Sequence, residues 1–259
     1  MKKIGIVGGV AWLSTVDYYT EICRRSERWH VARNLPGVPS TPEMSIESLD
    51  HNKAVSYLGI DGDEESWSRF DDYHRTALQR LEASGVDFAL MASNTPHDRY
   101  ASIVRGIGIP VTNIFEAVAK ESARMGASEV LILGTATTMR SARFREEFAK
   151  YGVVGAGPRD ESARATMAEL ITELQLGRLE GAGDRLGIIV RSRSQRSSRG
   201  GRRCVWHARS WRLRLRSRRR WRRLSTMAFC ISTVRPCISM QRLISRSEQI
   251  EREDGEKLV

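Results

Sequence analysis

No apolar run in this 259-residue chain approaches the roughly 18 residues that a membrane span needs. A membrane partner is therefore not expected. The N-terminus carries only a short apolar stretch, IGIVGGV, with no cleavage site behind it. That stretch reads as a strand and not as an export signal, so the expected location is the cytoplasm. Cysteine is scarce: Cys23, Cys204, Cys230 and Cys237, with no C-x-x-C pair. Free thiols are expected, not disulfides or a zinc site. Phosphate-binding loops are missing too. GIVGG lacks the full G-x-G-x-x-G spacing, and no G-K-[ST] follows a glycine loop, which argues against a dinucleotide or Walker-type site.

Acidic residues are absent from one block. Residues 191–223 hold 15 arginines and no Asp or Glu. The formal net charge of +11 comes from that block; the rest carries 27 basic against 31 acidic groups, a net of −4. A nucleic-acid partner argued from the whole-chain charge would rest on this block alone. Hydrophobic residues make up 41% of the chain, enough for a sizeable core.

What is present before the block is alternation of strands and helices. Residues 3–10 (KIGIVGGV) read as a buried parallel strand ending in a glycine turn, with Ser14 or Thr15 capping the next helix. Residues 43–49 read as a strand, and 67–84 as a helix ended by Gly85. A third strand, 87–91, runs into ASNTPH and a short helix; a fourth starts at 109–111. Then follow a helix at 114–125 ended by Gly126, a strand at 129–133 running into GTATTM, a helix at 141–151 ended by Gly152, and a helix at 161–176. This pattern predicts an α/β fold with parallel sheets. Residues 191–223 have neither the strand nor the helix period, and no element is expected there. So many guanidinium groups cannot enter a core without partners.

In open α/β sheets ligands sit beyond the carboxyl ends of the strands. Three polar turns lie there: Gly8-Gly9 through Thr15, Ser93-Asn94-Thr95, and Gly134-Thr135-Ala136-Thr137-Thr138. Hydroxyls, an amide and helix N-termini suit a small carboxylate. Each turn alone is as readily ordinary capping; their convergence favours a site.

Four segments in order resemble the aspartate/glutamate racemase superfamily: IGIVGGVAWLSTVDYY, GVDFALMASNTPH, LILGTATTM and ELQLG. The resemblance covers about the first 175 residues. It implies two pseudo-symmetric flavodoxin-like lobes, 1–112 and a second starting at 113–190, with the active site between them. It also implies a homodimer and racemisation or epimerisation of an amino acid without cofactor or metal. Two side chains then face Cα from opposite sides, one removing a proton and the other supplying one. On this resemblance Ser93 stands at the first acid/base position, where relatives carry Cys or Thr. A hydroxyl is a poorer base than a thiolate, so Ser93 is expected to donate or relay a proton. Asn94 and Thr95 match residues that hold the substrate carboxylate, and Thr135 with Thr138 their second-lobe counterparts. Glu173 matches a position facing the substrate's side chain or amino group, which would suit a basic or neutral substrate. His97 reads as structural, and Lys53 lies near a side-chain-binding segment.

The family's second acid/base, a Cys in Cys-Thr-Glu, has no counterpart: Cys204, Cys230 and Cys237 have the wrong neighbours. The codons tgg cat gca cgg agc tgg are permitted for residues 206–211. Read from their third base they spell Ala-Cys-Thr-Glu-Leu. The same shift turns TMAFCISTVRPCISM into a segment similar to one near the family's C-terminus. The reading that follows is that residues 191–259 have left the ancestral frame and are disordered or misfolded. Two alternatives stand beside the racemase: a non-catalytic, degenerate paralogue that binds a small carboxylate, and a nucleic-acid-binding tail in which Trp206, Trp211 and Trp221 stack among arginines.

Overall fold

The computed structural model describes residues 2–175, 184–186 and 189, together with the backbone of 202–207. The chain divides between Thr112 and Asn113 into two compact units. Both are α/β with parallel sheets.

The first unit contains strands β1 (Ile4–Gly8), β2 (Met44–Ser48), β3 (Phe88–Met91) and β4 (Val111–Thr112), all parallel, in the order β2-β1-β3-β4. Every residue of β1 and β3 is buried. This is the mark of a sheet covered on both faces, where the two-residue period separates the faces without exposing either. Ile4, Ile6, Phe88 and Leu90 meet Ile22 of α1 (Trp12–Ala32) on one face. Val7, Ala89 and Met91 meet Phe70, Ala77, Leu78 and Leu81 of α3 (Ser68–Ala83) on the other. A side chain at Gly5 would meet Val86 at 3.0 Å and Leu81 at 3.2 Å, so glycine there lets α3 lie close to β1. The short helices α2 (His51–Ser56), α4 (Thr95–Asp98) and α5 (Tyr100–Ile103) complete the connections.

The second unit opens with α6 (Ile114–Arg124), capped by Asn113, whose side chain accepts from the Phe115 amide. It leads into β5 (Ala127–Leu133), α7 (Ala136–Arg140), α8 (Ala142–Ala149), β6 (Val154–Ala156) and α9 (Glu161–Gln175). Val130 and Ile132 pack with Phe115, Phe144 and Phe148 beneath α6 and α8. Leu131 and Leu133 pack with Met167, Leu170 and Ile171 of α9. The last described element is β7 (Arg202–His207), and the sheet order is β6-β5-β7, all parallel.

Several expectations need correction. No side chain caps α1: its cap is Ala11, and Thr15 instead accepts from the Gly9 amide at 3.0 Å. The helix expected over 141–151 is α8, capped by Ser141 and preceded by the separate α7. The fourth strand starts at Val111. Residues 202–207 form a strand where the pattern assigned no element, because pairing with β5 supplies what local periodicity does not. The remainder of the arginine block and residues 224–259 lie outside the described residues. Among the described residues no helix is long and apolar enough to cross a membrane.

Candidate active site

The order β2-β1-β3-β4 has the flavodoxin pattern, in which the chain leaves β1 toward one face and β3 toward the other. In this topology the ligand crevice lies past the carboxyl ends of β1 and β3. The turns that border it are Gly8-Gly9-Val10 and Ala92-Ser93-Asn94.

Local geometry explains the composition of the first turn. Gly9 has φ +85, and a Cβ there would lie 2.2 Å from the Leu49 carbonyl oxygen. Any side chain there would be strained and would force Leu49 to shift. Thr15, one turn into α1, accepts the Gly9 N–H, and a Cβ on Gly8 would sit 2.5 Å from its side chain. His51, at the start of α2, donates from Nδ1 to the Val10 carbonyl at 2.7 Å. The turns after β1 and β2 are thereby tied together. Lys53 is exposed, and its amide donates to the capping Asp50 carboxylate at 2.7 Å.

The second turn carries Ser93, half-buried, then Asn94, 7% exposed, and Thr95, the first residue of α4. Ala92 N–H donates to the Val7 carbonyl at 2.8 Å, extending the β1–β3 ladder one residue past β3. Below the turn, His97 is buried and its Nε2 lies 3.2 Å from the Met91 carbonyl oxygen. Burial pushes its pKa down to about 4, so the ring is neutral at pH 7. Arg99, buried just beyond, makes a two-pronged bond to Asp71 of α3, Nε–Oδ1 3.2 Å and Nη2–Oδ2 2.8 Å. It also reaches Glu64 at 2.6 Å and lies over the Trp67 ring. The Asp71 carboxylate, foremost, holds the guanidinium pKa above its ordinary value. Sequence reasoning missed this network; Arg99 and Asp71 are 28 residues apart, and no local period links them.

In the second unit the order β6-β5-β7 repeats the second–first–third arrangement of β2-β1-β3. The turn after β5 holds Thr135 and Thr138. The Thr138 N–H donates to Thr135 Oγ1 at 3.3 Å, and the two hydroxyls lie 3.1 Å apart. Thr138 is buried and Thr135 half-buried. One hydroxyl of such a pair can satisfy the other and leave a proton to offer an anion. Glu173 lies in the last turn of α9. Its carboxylate is engaged by Arg185. Cys23 is a free, half-buried thiol; the side chains of the other cysteines lie outside the described residues.

The sequence profile of the Asp/Glu/Hydantoin racemase family matches residues 7–192. A broad-specificity amino-acid racemase of Bacillus subtilis is 26% identical over 150 residues, 55% of this chain and 59% of the relative. The chain thus matches less than two thirds of that relative's length. An aspartate racemase homologue from Pyrococcus horikoshii has a TM-score of 0.61 at 26% identity, covering 80% of this chain and 85% of its own. An aspartate racemase of Picrophilus torridus has the same fold, with a TM-score of 0.62 at 16% identity over 81% of each chain. With the profile spanning more than half of its length and both parallel sheets present, the chain belongs to the Asp/Glu/Hydantoin racemase family.

Proposed function

We propose that this scaffold serves cofactor-independent racemisation or epimerisation of an amino acid. One observation carries the reading: in a racemase-family chain, Ser93 follows the carboxyl end of β3, the strand that borders the first unit's switch-point crevice. Asn94 and Thr95 are the first unit's hydrogen-bonding groups for a substrate carboxylate, and the Thr135–Thr138 hydroxyl pair is their counterpart in the second unit. In the reaction one group takes the Cα proton. The electron pair left on Cα delocalises into the carboxylate, where those donors stabilise the developing charge. A second group delivers a proton to the opposite face, and the pair ends with its protonation states exchanged. Ser93 is the hydroxyl member of that pair. The matching orders β2-β1-β3 and β6-β5-β7 support treating the units as equivalent halves. On that equivalence the second member belongs after β7.

The present frame reads His207-Ala208 at that point. With the permitted codons, the alternate frame would put its Cys across codons 207 and 208, where β7 ends opposite Leu133 of β5. The family profile stops at residue 192, as the arginine run begins. These coincidences support a loss of the ancestral frame near residue 190. In the present frame the second reading, a carboxylate-binding relative without turnover, is favoured by the missing proton donor.

Four proteins assayed together test both readings: the chain as it stands, a frame-restored chain, and the restored chain with Ser93→Ala or Ser93→Cys. Each is incubated in deuterated water with acidic, basic and neutral amino acids, and loss of the Cα proton is followed by NMR. The restored chain should exchange. Ser93→Ala should lower the rate by about 10² or more, while Ser93→Cys keeps or raises it, because a thiol ionises more readily. The chain as it stands should not turn over. Unchanged exchange in the alanine variant removes Ser93 from the mechanism, and robust racemisation by the present chain refutes the frame argument.

A further inference from the structure

We propose that His97 is a positioning residue for the Ser93 turn, clamping it at the Met91 carbonyl and transmitting that restraint through Tyr100 to β4. The proposal rests on the reading of Ser93 as a proton-transfer group.

The turn between β3 and α4 has no regular structure of its own, yet it is closed at both ends. Ala92 N–H bonds to Val7 at 2.8 Å, and His97 N–H bonds to the Asn94 carbonyl at 2.9 Å. The His97 ring then reaches back across the turn, with Nε2 3.2 Å from the oxygen of Met91, the last residue of β3. A carbonyl only accepts, so Nε2 carries the proton and Nδ1 the lone pair. The ring is 1% exposed. It stacks on Tyr100 with an interplanar angle of 11°, and the Tyr100 hydroxyl donates to the Val111 carbonyl at 2.5 Å. The Met91 carbonyl, two residues before Ser93, and β4 are thus joined through the His97 and Tyr100 side chains. Two residues beyond His97, Arg99 anchors the same segment to α3 through Asp71. Burial keeps the imidazole uncharged at neutral pH, so the clamp adds no cation beneath the site. Its purpose is geometric: a proton-transfer group displaced by about 1 Å loses about 10² in rate.

The test uses the full 259-residue chain with His97→Gln, which keeps a donor near the Nε2 position, and His97→Phe, which keeps the ring and removes the donor. In the parent chain, 15N NMR of the imidazole should report the Nε2–H tautomer. Amide exchange at positions 92 and 97 should quicken about tenfold in His97→Phe and return toward the parent value in His97→Gln. In the frame-restored chain, His97→Phe should lower kcat about tenfold to a hundredfold with little change in KM, and His97→Gln should recover most of it. An Nδ1–H tautomer, or unchanged protection in His97→Phe, overturns the proposal. If His97→Phe does not fold, the tautomer and the His97→Gln protection decide. Absence of exchange in both the parent and the frame-restored chain would overturn the racemase reading alone, since the tautomer and protection measurements need no substrate.

Discussion

Lowering the pH from 7 to 5 should destabilise the first unit by about 4 kcal/mol through two histidines. His74 and His97 are each 1% exposed. Burial is the main cause that takes both from 6.5 to about 4. His74 donates from Nδ1 to the Phe70 carbonyl at 2.8 Å, and its buried Nε2 has no partner. A proton there would be stranded against the Phe70 ring, 4.3 Å away between centroids. Because the folded pKa lies below the unfolded one, the unfolded chain binds protons first. Stability is complete above pH 6.5, falls as pH drops toward 4, and levels once the folded rings also protonate. Each histidine contributes about 2 kcal/mol of loss between pH 7 and 5, most ordinary carboxylates still being ionised there. Against a domain stability of about 5–15 kcal/mol this is a large fraction. Two units unfolding separately would blur a whole-chain denaturation curve. The assay is therefore amide exchange of β3 and α3 residues across this pH range, for the parent and for His74→Gln. A loss below about 1 kcal/mol, or a slope in His74→Gln equal to the parent's, would refute the reasoning.

Two further outcomes follow from buried contacts. Asp71→Ala should cost about 1–3 kcal/mol by removing two charge-assisted bonds from the Arg99 guanidinium, Glu64 still pairing with it, while Asp71→Leu with Arg99→Met should recover most of it; amide exchange of α3 residues in both variants checks this, and an additive double variant would contradict it. Gly9→Ala should cost about 1–3 kcal/mol in backbone strain and abolish amino-acid binding, because the added Cβ must push Leu49 and the first turn apart; calorimetry with the best substrate of the exchange assay measures the second effect, and wild-type affinity would sink it.

Much of the fold was legible because its information is local. The apolar periods of β1, α3, β3, α6, β5 and α9 each stand out in a short window. Gly85, Gly126 and Gly152, read as helix stops, all have positive φ. The Ser93 and Thr135 turns were legible because polar residues directly follow a buried strand. The three-residue β6 and the six-residue α2 were not, since neither is long enough to display a period. β7 was not legible either. A parallel strand draws its hydrogen bonds from a distant neighbour, here β5, and Arg202-Arg203 at its start hides it in a run that reads as uniformly polar.

The sequence by itself thus determined the alternation of strands and helices, and with it the polar turns at strand ends. Only the tertiary structure decided what those turns rest on. Thr15 serves Gly9 instead of capping α1, His97 closes on Met91, Arg99 finds Asp71, and Glu173 is held by Arg185. Each is a side-chain pairing chosen by where the backbone has already put the partners. A hydroxyl, an imidazole or a guanidinium is chemically able to bond to many groups, and only packing removes all but one.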